Sequence, residues 1–221
     1  MDIDLTPLLL RLPFLAKALL MTIELSLFSM VVGLVVGIVV GVARTYGGRI
    51  ADAILGFYVD TMRSVPLLVV LIWTVFAFPL VFGHAIGTLT AGVLGLGVHL
   101  GAYVAETIRA GLTSVRKGQM QAARALGMSR FEAIRKIILP QALVRMLPSL
   151  GSLLTFAIKD SAVASVIAVP ELMRQSQVVA GQTYHFKEIY TAAMIAYFLL
   201  CYPVARGVDR IYRRVAHLGS S

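Results

Sequence analysis

The sequence is poor in cysteine and in charged residues. Cys201 is the only cysteine among 221 residues, which excludes an intrachain disulfide and a cysteine-based metal site. Charged residues make up 14% of the chain and hydrophobic residues 58%, whereas soluble domains carry about 25% charged residues. This composition excludes an ordinary soluble fold and indicates a membrane protein.

Patterns for nucleotide binding and catalysis are also missing. The chain contains no G-x-x-x-x-G-K-[ST] phosphate-binding loop, so we expect no ATP site in it. No group of His, Cys, Asp or Glu has the spacing of a metal site, and no nucleophile is paired with a base. We therefore expect a protein that is not an enzyme and that binds no metal or cofactor of its own.

Five apolar segments approach the roughly 20 residues that a helix needs to cross a bilayer. The first is too long for the core of a signal peptide, so we expect it to remain as a span. The predicted fold is all-α and integral to the membrane, with one transmembrane domain over residues 1–221. The predicted spans cover about residues 19–42, 65–82, 85–108, 147–169 and 189–208, with a polar loop over residues 111–145.

Positive charges are distributed unevenly between the two ends of these spans. Of the 20 Lys and Arg residues, 15 lie in segments 44–63, 109–145 and 206–214, and only 4 lie in the segments at the other end. The positive-inside rule therefore predicts an N-terminus outside the cell and a C-terminus in the cytoplasm. Because topology explains the net charge of +9, we do not expect nucleic-acid binding.

The loop between the third and fourth spans has the pattern of two short helices. Residues 119–126 are mostly good helix formers, and Gly127 follows where a helix end often needs a left-handed residue. Ser129 and Glu132 form an S-x-x-E capping box, which predicts a second helix from about Arg130. From this chemistry alone the loop is either a plain basic connection or a cytoplasmic docking element.

We expect the second loop helix to end at Leu139, because Pro140 discourages its continuation. The residue spacing of the loop resembles the EAA loop of ATP-binding-cassette (ABC) importer permeases. The matching residues are Ala122-Ala123, Gly127 after three residues, Ile137 after nine more, and Leu139-Pro140 after one. Gln121 stands where the family usually has Glu, which removes a charge without weakening the helix.

Other segments resemble the branch of this family that imports polar amino acids. Arg63-Ser64-Val65-Pro66-Leu67-Leu68 is similar to the branch's Arg-Gly-Thr-Pro-Leu-Leu, with Ser64-Val65 as the departure. The run 102–111 is similar to its Ala-Tyr-x-Ala-Glu-x-x-Arg-Gly-Gly, with Ala110 as the departure. Lys159-Asp160-Ser161 is similar to its Lys-Asp-Ser/Thr run. The resemblance covers about residues 15–215.

The resemblance implies a multi-pass permease subunit of an ATP-driven importer for polar amino acids in a bacterial-type inner membrane. Acidic, basic and amide amino acids are all compatible with it. The implied partners are a second permease subunit, two ABC ATPase subunits that hold ATP and Mg, a periplasmic or lipid-anchored substrate-binding protein, and membrane lipid. Segment 170–188 is expected to form a periplasmic excursion that contacts the binding protein. The residues that the resemblance assigns to ATPase coupling are Gln121, Ala122, Ala123, Gly127, Ser129, Arg130, Glu132, Ile137, Leu139 and Pro140.

Small residues recur on one face of the first span. Gly33, Gly37 and Gly41 lie four residues apart, and such residues let helices approach closely in lipid. We expect them to serve packing, with Thr22, Ser26 and Ser29 continuing nearly the same face. Near the ends of the first two spans, Glu24 either reaches the membrane interface or faces a path, and Arg63 is expected to be an interfacial anchor.

Several polar residues lie deep in the predicted spans, where a charge costs roughly 2.5–3.5 kcal/mol on insertion scales and usually faces a bundle interior or water. Glu106 is expected to pair with Arg109 at i+3. His99 is either a hydrogen-bonded packing residue or a ligand group, and we favour packing. The candidate substrate-path residues are Glu24, His99, Ser152, Thr155, Lys159 and Asp160.

Two other functions are compatible with these residues. A secondary transporter or channel driven by an ion gradient would use the intramembrane ionisable residues Glu24, His99, Lys159 and Asp160 as a relay. A membrane scaffold would use only the glycine face for packing and would transport nothing. The ion-coupled alternative gives the spacing of the loop no purpose, and the scaffold leaves the polar stripe of Ser152, Thr155 and Lys159 unexplained. The importer is therefore the main prediction.

Overall fold

The computed structural model describes residue 4 and residues 6–216, and this part of the chain is almost entirely helical, without a strand. The all-α prediction is confirmed. The α-helices are α1 (Thr6–Tyr46), α2 (Gly48–Ser64), α3 (Leu67–Ile72), α4 (Phe78–Phe82), α5 (Thr88–Ser114), α6 (Lys117–Ala125), α7 (Arg130–Ala133), α8 (Leu139–Asp160), α9 (Leu172–Thr183) and α10 (Phe186–Val215). Helix α3 is joined to α4 by a π-helical turn, Trp73–Ala77, and α7 is joined to α8 by another, Ile134–Ile138.

Four of the helical segments are long and apolar enough to cross a membrane, and a fifth span results if one bent pair is counted. The bent pair consists of α2 and the segment Leu67–Phe82, which meet at an angle of 105°. The bend falls where Pro66 precedes α3, because proline lacks an N–H and fixes its own φ. The residues immediately before the predicted second span thus form a 17-residue helix, α2.

The long helices α1 and α5 pack together along the glycine face of α1. A Cβ added at Gly33 would lie 3.0 Å from Cβ of Leu100, and one added at Gly41 would lie 2.7 Å from the carbonyl oxygen of Ala105. A Cβ at Gly37 would overlap the side chain of Val104. The packing role predicted for these glycines is confirmed, and this seam holds the third span in place.

The prediction that Pro140 ends the second loop helix is wrong. The helix passes through the π-helical turn Ile134–Ile138 and continues as α8, so that residues 130–167 form one segment. In this wide turn the N–H of Leu139 donates to the carbonyl oxygen of Ile134, five residues earlier. The wider turn accommodates a proline ring and a missing donor that a regular helix would not.

The segment after α8 is folded against the bundle rather than extended from it. A 3₁₀ helix, Ser161–Ile167, ends at Ala168 in the left-handed conformation, and α9 then packs its buried residues against α1 and α10. The buried carboxylate of Glu171 caps α9 by accepting from the N–H groups of Met173 and Arg174. The predicted excursion over residues 170–188 is therefore a packed helix; its contact with a binding protein stays a prediction.

Candidate functional site

The loop between α5 and α8 has the two-helix geometry that its sequence predicts. The N–H of Gly127 donates to the carbonyl oxygen of Arg124 at 3.1 Å, and that of Met128 donates to Ala123 at 3.1 Å. Gly127 has φ +80°, which only glycine adopts without strain. These paired bonds and the left-handed glycine constitute a Schellman motif that ends α6.

The second loop helix begins with the predicted capping box. The Ser129 hydroxyl accepts from the N–H of Glu132 at 3.2 Å, and the Glu132 carboxylate accepts from the N–H of Ser129 at 3.1 Å. Lys136 also lies 3.4 Å from this carboxylate. The box satisfies two backbone donors at the exposed start of α7 and fixes its direction.

The loop residues that the sequence assigns to coupling divide into an outer and an inner set. Ala123 is buried and Ile137 is partly buried, so they hold the loop against the bundle. The outer, exposed set comprises Gln121, Ala122, Gly127, Ser129, Arg130, Glu132, Leu139 and Pro140. Sequence reasoning missed two large apolar side chains between them, Leu126 at 82% and Phe131 at 71% exposure. Both side chains are therefore accessible to a partner protein.

A cavity of about 580 Å³ lies between α5 and α8 beside this loop. The guanidinium of Arg63 stacks at 5.6 Å from the ring of Tyr103, and both residues line this cavity. Arg63 is thus held over an aromatic face at the cavity wall, so the simple anchor predicted for it is incomplete. At the same cavity Arg145 Nη1 donates to the carbonyl oxygen of Ser114 at 2.6 Å.

A network of ion pairs ties three helices together next to this cavity. The predicted pair of Glu106 and Arg109 is confirmed, with Arg109 Nη2 2.6 Å from Glu106 Oε1. Arg44 of α1 joins it at 3.1 Å and also reaches Asp52 of α2 at 3.0 Å. Because Arg44 is distant in sequence from Glu106, its part in the network could not be predicted.

A second cavity of about 300 Å³ brings together two of the predicted path residues, His99 and Asp160. It shares Tyr103 and Leu153 with the larger cavity, so the two are adjacent along α5 and α8. Within the described part of the chain, the buried Nδ1 of His99 has no hydrogen-bond partner. His99 is buried with its ring 5.4 Å from that of Tyr103, so its choice between a packing residue and a ligand group stays a prediction.

The other four predicted path residues do not converge on this second cavity. Ser152 lines the larger cavity, and Thr155 lines a small one of about 70 Å³ between α8 and α10. Their hydroxyls donate to carbonyl oxygens of their own helix, at 3.0 and 2.7 Å. Lys159 is exposed, with its ammonium 6.0 Å from the ring centre of Phe156, and Glu24 is exposed on α1.

Comparison with known sequences agrees with this arrangement. Residues 33–217 match the family described as "Binding-protein-dependent transport system inner membrane component". The Glutamine transport system permease protein GlnP of Escherichia coli (strain K12) is 36% identical over 204 residues, which cover 92% of this chain and 93% of that protein. The Probable amino-acid ABC transporter permease protein YckA of Bacillus subtilis (strain 168) is 33% identical over 205 residues, 93% of this chain and 90% of that protein.

Solved structures with the same arrangement of helices include two transporters. One chain of the structure described as "Crystal structure of an amino acid ABC transporter with histidines" superposes with a TM-score of 0.89 at 32% identity. The match covers 97% of this chain and 100% of that one. An inward facing conformation of the MetNI methionine ABC transporter superposes with a TM-score of 0.77 at 25% identity, covering 97% and 99%. These likenesses favour an importer permease over an ion-coupled transporter or a scaffold.

Proposed function

The chain belongs to the family of binding-protein-dependent transport system inner membrane components, and we propose that it is the transmembrane permease subunit of an ATP-driven importer for a polar amino acid. Components of this family are multi-pass proteins of the inner membrane and are not enzymes themselves. The relatives named for glutamine and amino-acid transport support an amino acid as the transported solute. The similarity to motifs of the polar branch supports the narrower class.

The two adjacent cavities are the proposed substrate path. A zwitterionic amino acid needs an acceptor for its ammonium group and a donor for its carboxylate. Asp160 supplies a carboxylate in the smaller cavity, and the imidazole of His99 offers a nitrogen that bonds no other residue among those the structure describes. Arg63 and the network around Glu106 lie further along the same route, beside the larger cavity.

The exposed loop is the proposed docking element for two ABC ATPase subunits, which would hold ATP and Mg. The observation that carries this proposal is the unbroken helix from α7 into α8. Because a helix transmits displacement along its axis, movement of an ATPase against Ser129–Ala133 would move the cavity walls formed by Ser152 and Asp160. Closing of the ATPases would thus alternate access to the path.

The remaining parts of the assembly follow from the same proposal. A second permease subunit would complete the path as a homo- or heterodimer, and a periplasmic or lipid-anchored binding protein would deliver the amino acid. The distribution of positive charge supports an N-terminus outside and a C-terminus in the cytoplasm. That orientation puts the loop on the side where ATP is available.

Co-purification tests the docking element. Tagged chain would be co-expressed with the ATPase subunits from the same host, and the ATPase retained per chain would be measured for Leu126→Ser. A matched control is Leu80→Ser, because Leu80 is 87% exposed and lies at the far end of the bent segment. We expect loss of ATPase in the first variant only. Equal retention in both variants would contradict docking through the loop.

Uptake into proteoliposomes tests the path. We expect Asp160→Asn to reduce ATP-dependent uptake at least about tenfold, the effect of about 1.4 kcal/mol lost from one charged hydrogen bond. The neighbouring Lys159→Gln should retain most uptake, since Lys159 lines neither cavity. If an ion gradient without ATP drove uptake, the importer proposal would fail and the ion-coupled alternative would replace it.

A further inference from the structure

Another cavity, separate from the substrate path, runs along the outside of the bundle next to the loop. Its volume is about 430 Å³, within the roughly 300–1,000 Å³ typical of ligand pockets. We call it the apolar groove, and it is lined by Ile38, Val42 and Tyr46 of α1, Ile108 and Leu112 of α5, Phe131 of α7, Ile134 of the π-helical turn, and Leu139, Leu143 and Met146 of α8.

One wall of the groove runs along α1. Ile38, Val42 and Tyr46 lie four residues apart on one face of α1, so this wall is about 12 Å long at 1.5 Å per residue. Buried residues of α5 form its floor, whereas Leu143 on the opposite wall is half exposed. An apolar groove with a wall of this length fits part of a hydrocarbon chain.

The loop end of the groove is basic. The guanidinium of Arg130 stacks at 5.7 Å from the ring of Tyr46, which lines the groove. Arg135 and Lys136 are exposed in the same turn as Ile134. Basic residues beside apolar pockets at the cytoplasmic end of membrane helices attract anionic lipid headgroups.

We propose that the apolar groove binds one anionic phospholipid, with an acyl chain between α1 and α8 and its headgroup at Arg130. A lipid in this place touches Phe131 and Ile134, so it packs against the helix that carries the proposed ATPase contact. The bound lipid therefore stabilises the position of α7 relative to α1, two elements that are otherwise joined here through Arg130 and Tyr46.

Other occupants fit the groove less well. An ATPase subunit outside the membrane does not reach Ile38, which belongs to the apolar part of α1. A second copy of this chain in a symmetric contact within one membrane would place the basic loop ends of both copies at the same edge of the interface. Like charges brought together in this way repel, whereas an anionic headgroup neutralises them.

Quenching of tryptophan fluorescence by brominated lipids tests the site on the full chain in vesicles. Trp73 is the only tryptophan, so a Trp73→Phe background makes an introduced tryptophan the sole reporter. The reporter is Ile38→Trp, in the groove, and the control is Val39→Trp, which has the same depth but does not line the groove. Each is measured with brominated phosphatidylglycerol and with brominated phosphatidylcholine at equal mole fraction.

We expect quenching of the Ile38→Trp reporter to show about a fivefold preference for phosphatidylglycerol over phosphatidylcholine, the effect of one cation near a lipid surface. Quenching of the Val39→Trp control should show no preference. Adding Arg130→Gln should abolish the preference, whereas Arg124→Gln, which removes the same charge from α6, should keep it. Equal quenching of both reporters by both lipids would reduce the groove to ordinary lipid contact and overturn the proposal. Absence of quenching at Ile38→Trp would mean that protein covers the groove, which would also overturn the proposal. A lipid preference that survived Arg130→Gln would refute the position of the headgroup.

Discussion

Two glycines, Gly37 in the α1–α5 seam and Gly127 in the loop, are required for opposite reasons. A Cβ at Gly37 would overlap Val104, although the backbone of Gly37 is ordinary helix. A Cβ at Gly127 would meet nothing within 4 Å, but its φ is +80°. The first glycine is fixed by its neighbours in space, and the second by its own backbone conformation.

The α1–α5 seam and the loop therefore differ in what specifies their structure. The seam depends on the fit between residues far apart in sequence, so an error there displaces whole helices. The loop depends on caps formed within a few residues, so an error there disturbs one turn. We therefore expect variants in the seam to affect global stability and variants in the loop to affect local order and ATPase binding.

The largest effect is expected for Gly37→Ala. The added methyl would overlap Val104 and approach the backbone nitrogen of Ala105 at 3.0 Å, so α1 and α5 would have to separate. Overpacking of this kind costs about 1–3 kcal/mol and sometimes more, and we expect about 3 kcal/mol here because the overlap includes Cβ of Val104, which cannot rotate away. The measurement is the midpoint of thermal unfolding in detergent, and Val39→Ala on the exposed face of α1 is the control. Recovery of stability in the double variant with Val104→Gly would show that this contact is the cause; no loss in the single variant would refute the seam.

A smaller but still global effect is expected for Arg44→Met, at the end of the seam nearest the loop. Arg44 is 11% exposed in its side chain and bonds both Glu106 and Asp52. Loss of one partner from a buried ion pair lowers the free energy of unfolding by about 3–5 kcal/mol. We expect a decrease of about 2 kcal/mol, because Arg109 still pairs with Glu106. Asp52→Asn should lower the unfolding midpoint much less, as Asp52 is half exposed; an equal loss would contradict the central position of Arg44.

Sequence alone predicts those features whose partners are close in the chain. The left-handed Gly127, the box of Ser129 and Glu132, and the pair of Glu106 and Arg109 all lie within three residues of their partners, and all are confirmed. The glycine spacing of α1 also predicts a packing face, because small residues serve few other purposes in lipid. The four or five apolar spans of the described residues follow from hydrophobicity and length.

The features that sequence misses depend on contacts or strain at a distance. Arg44 reaches Glu106 over 62 residues, and no local pattern indicates that pair. The rule that proline ends a helix fails at Pro140 because a π-helical turn precedes it. Similarly, the common environment of His99 and Asp160 arises only when α5 packs on α8.

In the loop, Gly127→Ala should destabilise the protein less than either of the two seam variants does. A left-handed conformation costs an L-residue roughly 1–2 kcal/mol, but the space around Gly127 is open. We expect local hydrogen exchange of Met128 to increase while the global unfolding midpoint changes little. Gly127→Asn should be closer to wild type, because Asn tolerates this conformation better than Ala does; a global loss as large as that of Gly37→Ala would contradict the distinction between the two glycines.

The smallest effect is expected for Ser129→Ala, which removes the hydroxyl that accepts from the N–H of Glu132. Loss of an N-cap costs about 1 kcal/mol, and here it should increase hydrogen exchange of Glu132 about fivefold. Ser129→Thr should restore protection, because the threonine hydroxyl caps in the same way. Since α7 continues into α8, the loss should remain in the first turn and leave the exchange of α8 unchanged. Increased exchange throughout α8 would instead mean that the cap supports the whole helix. The part of the chain whose structure is specified locally would then extend from the loop into α8.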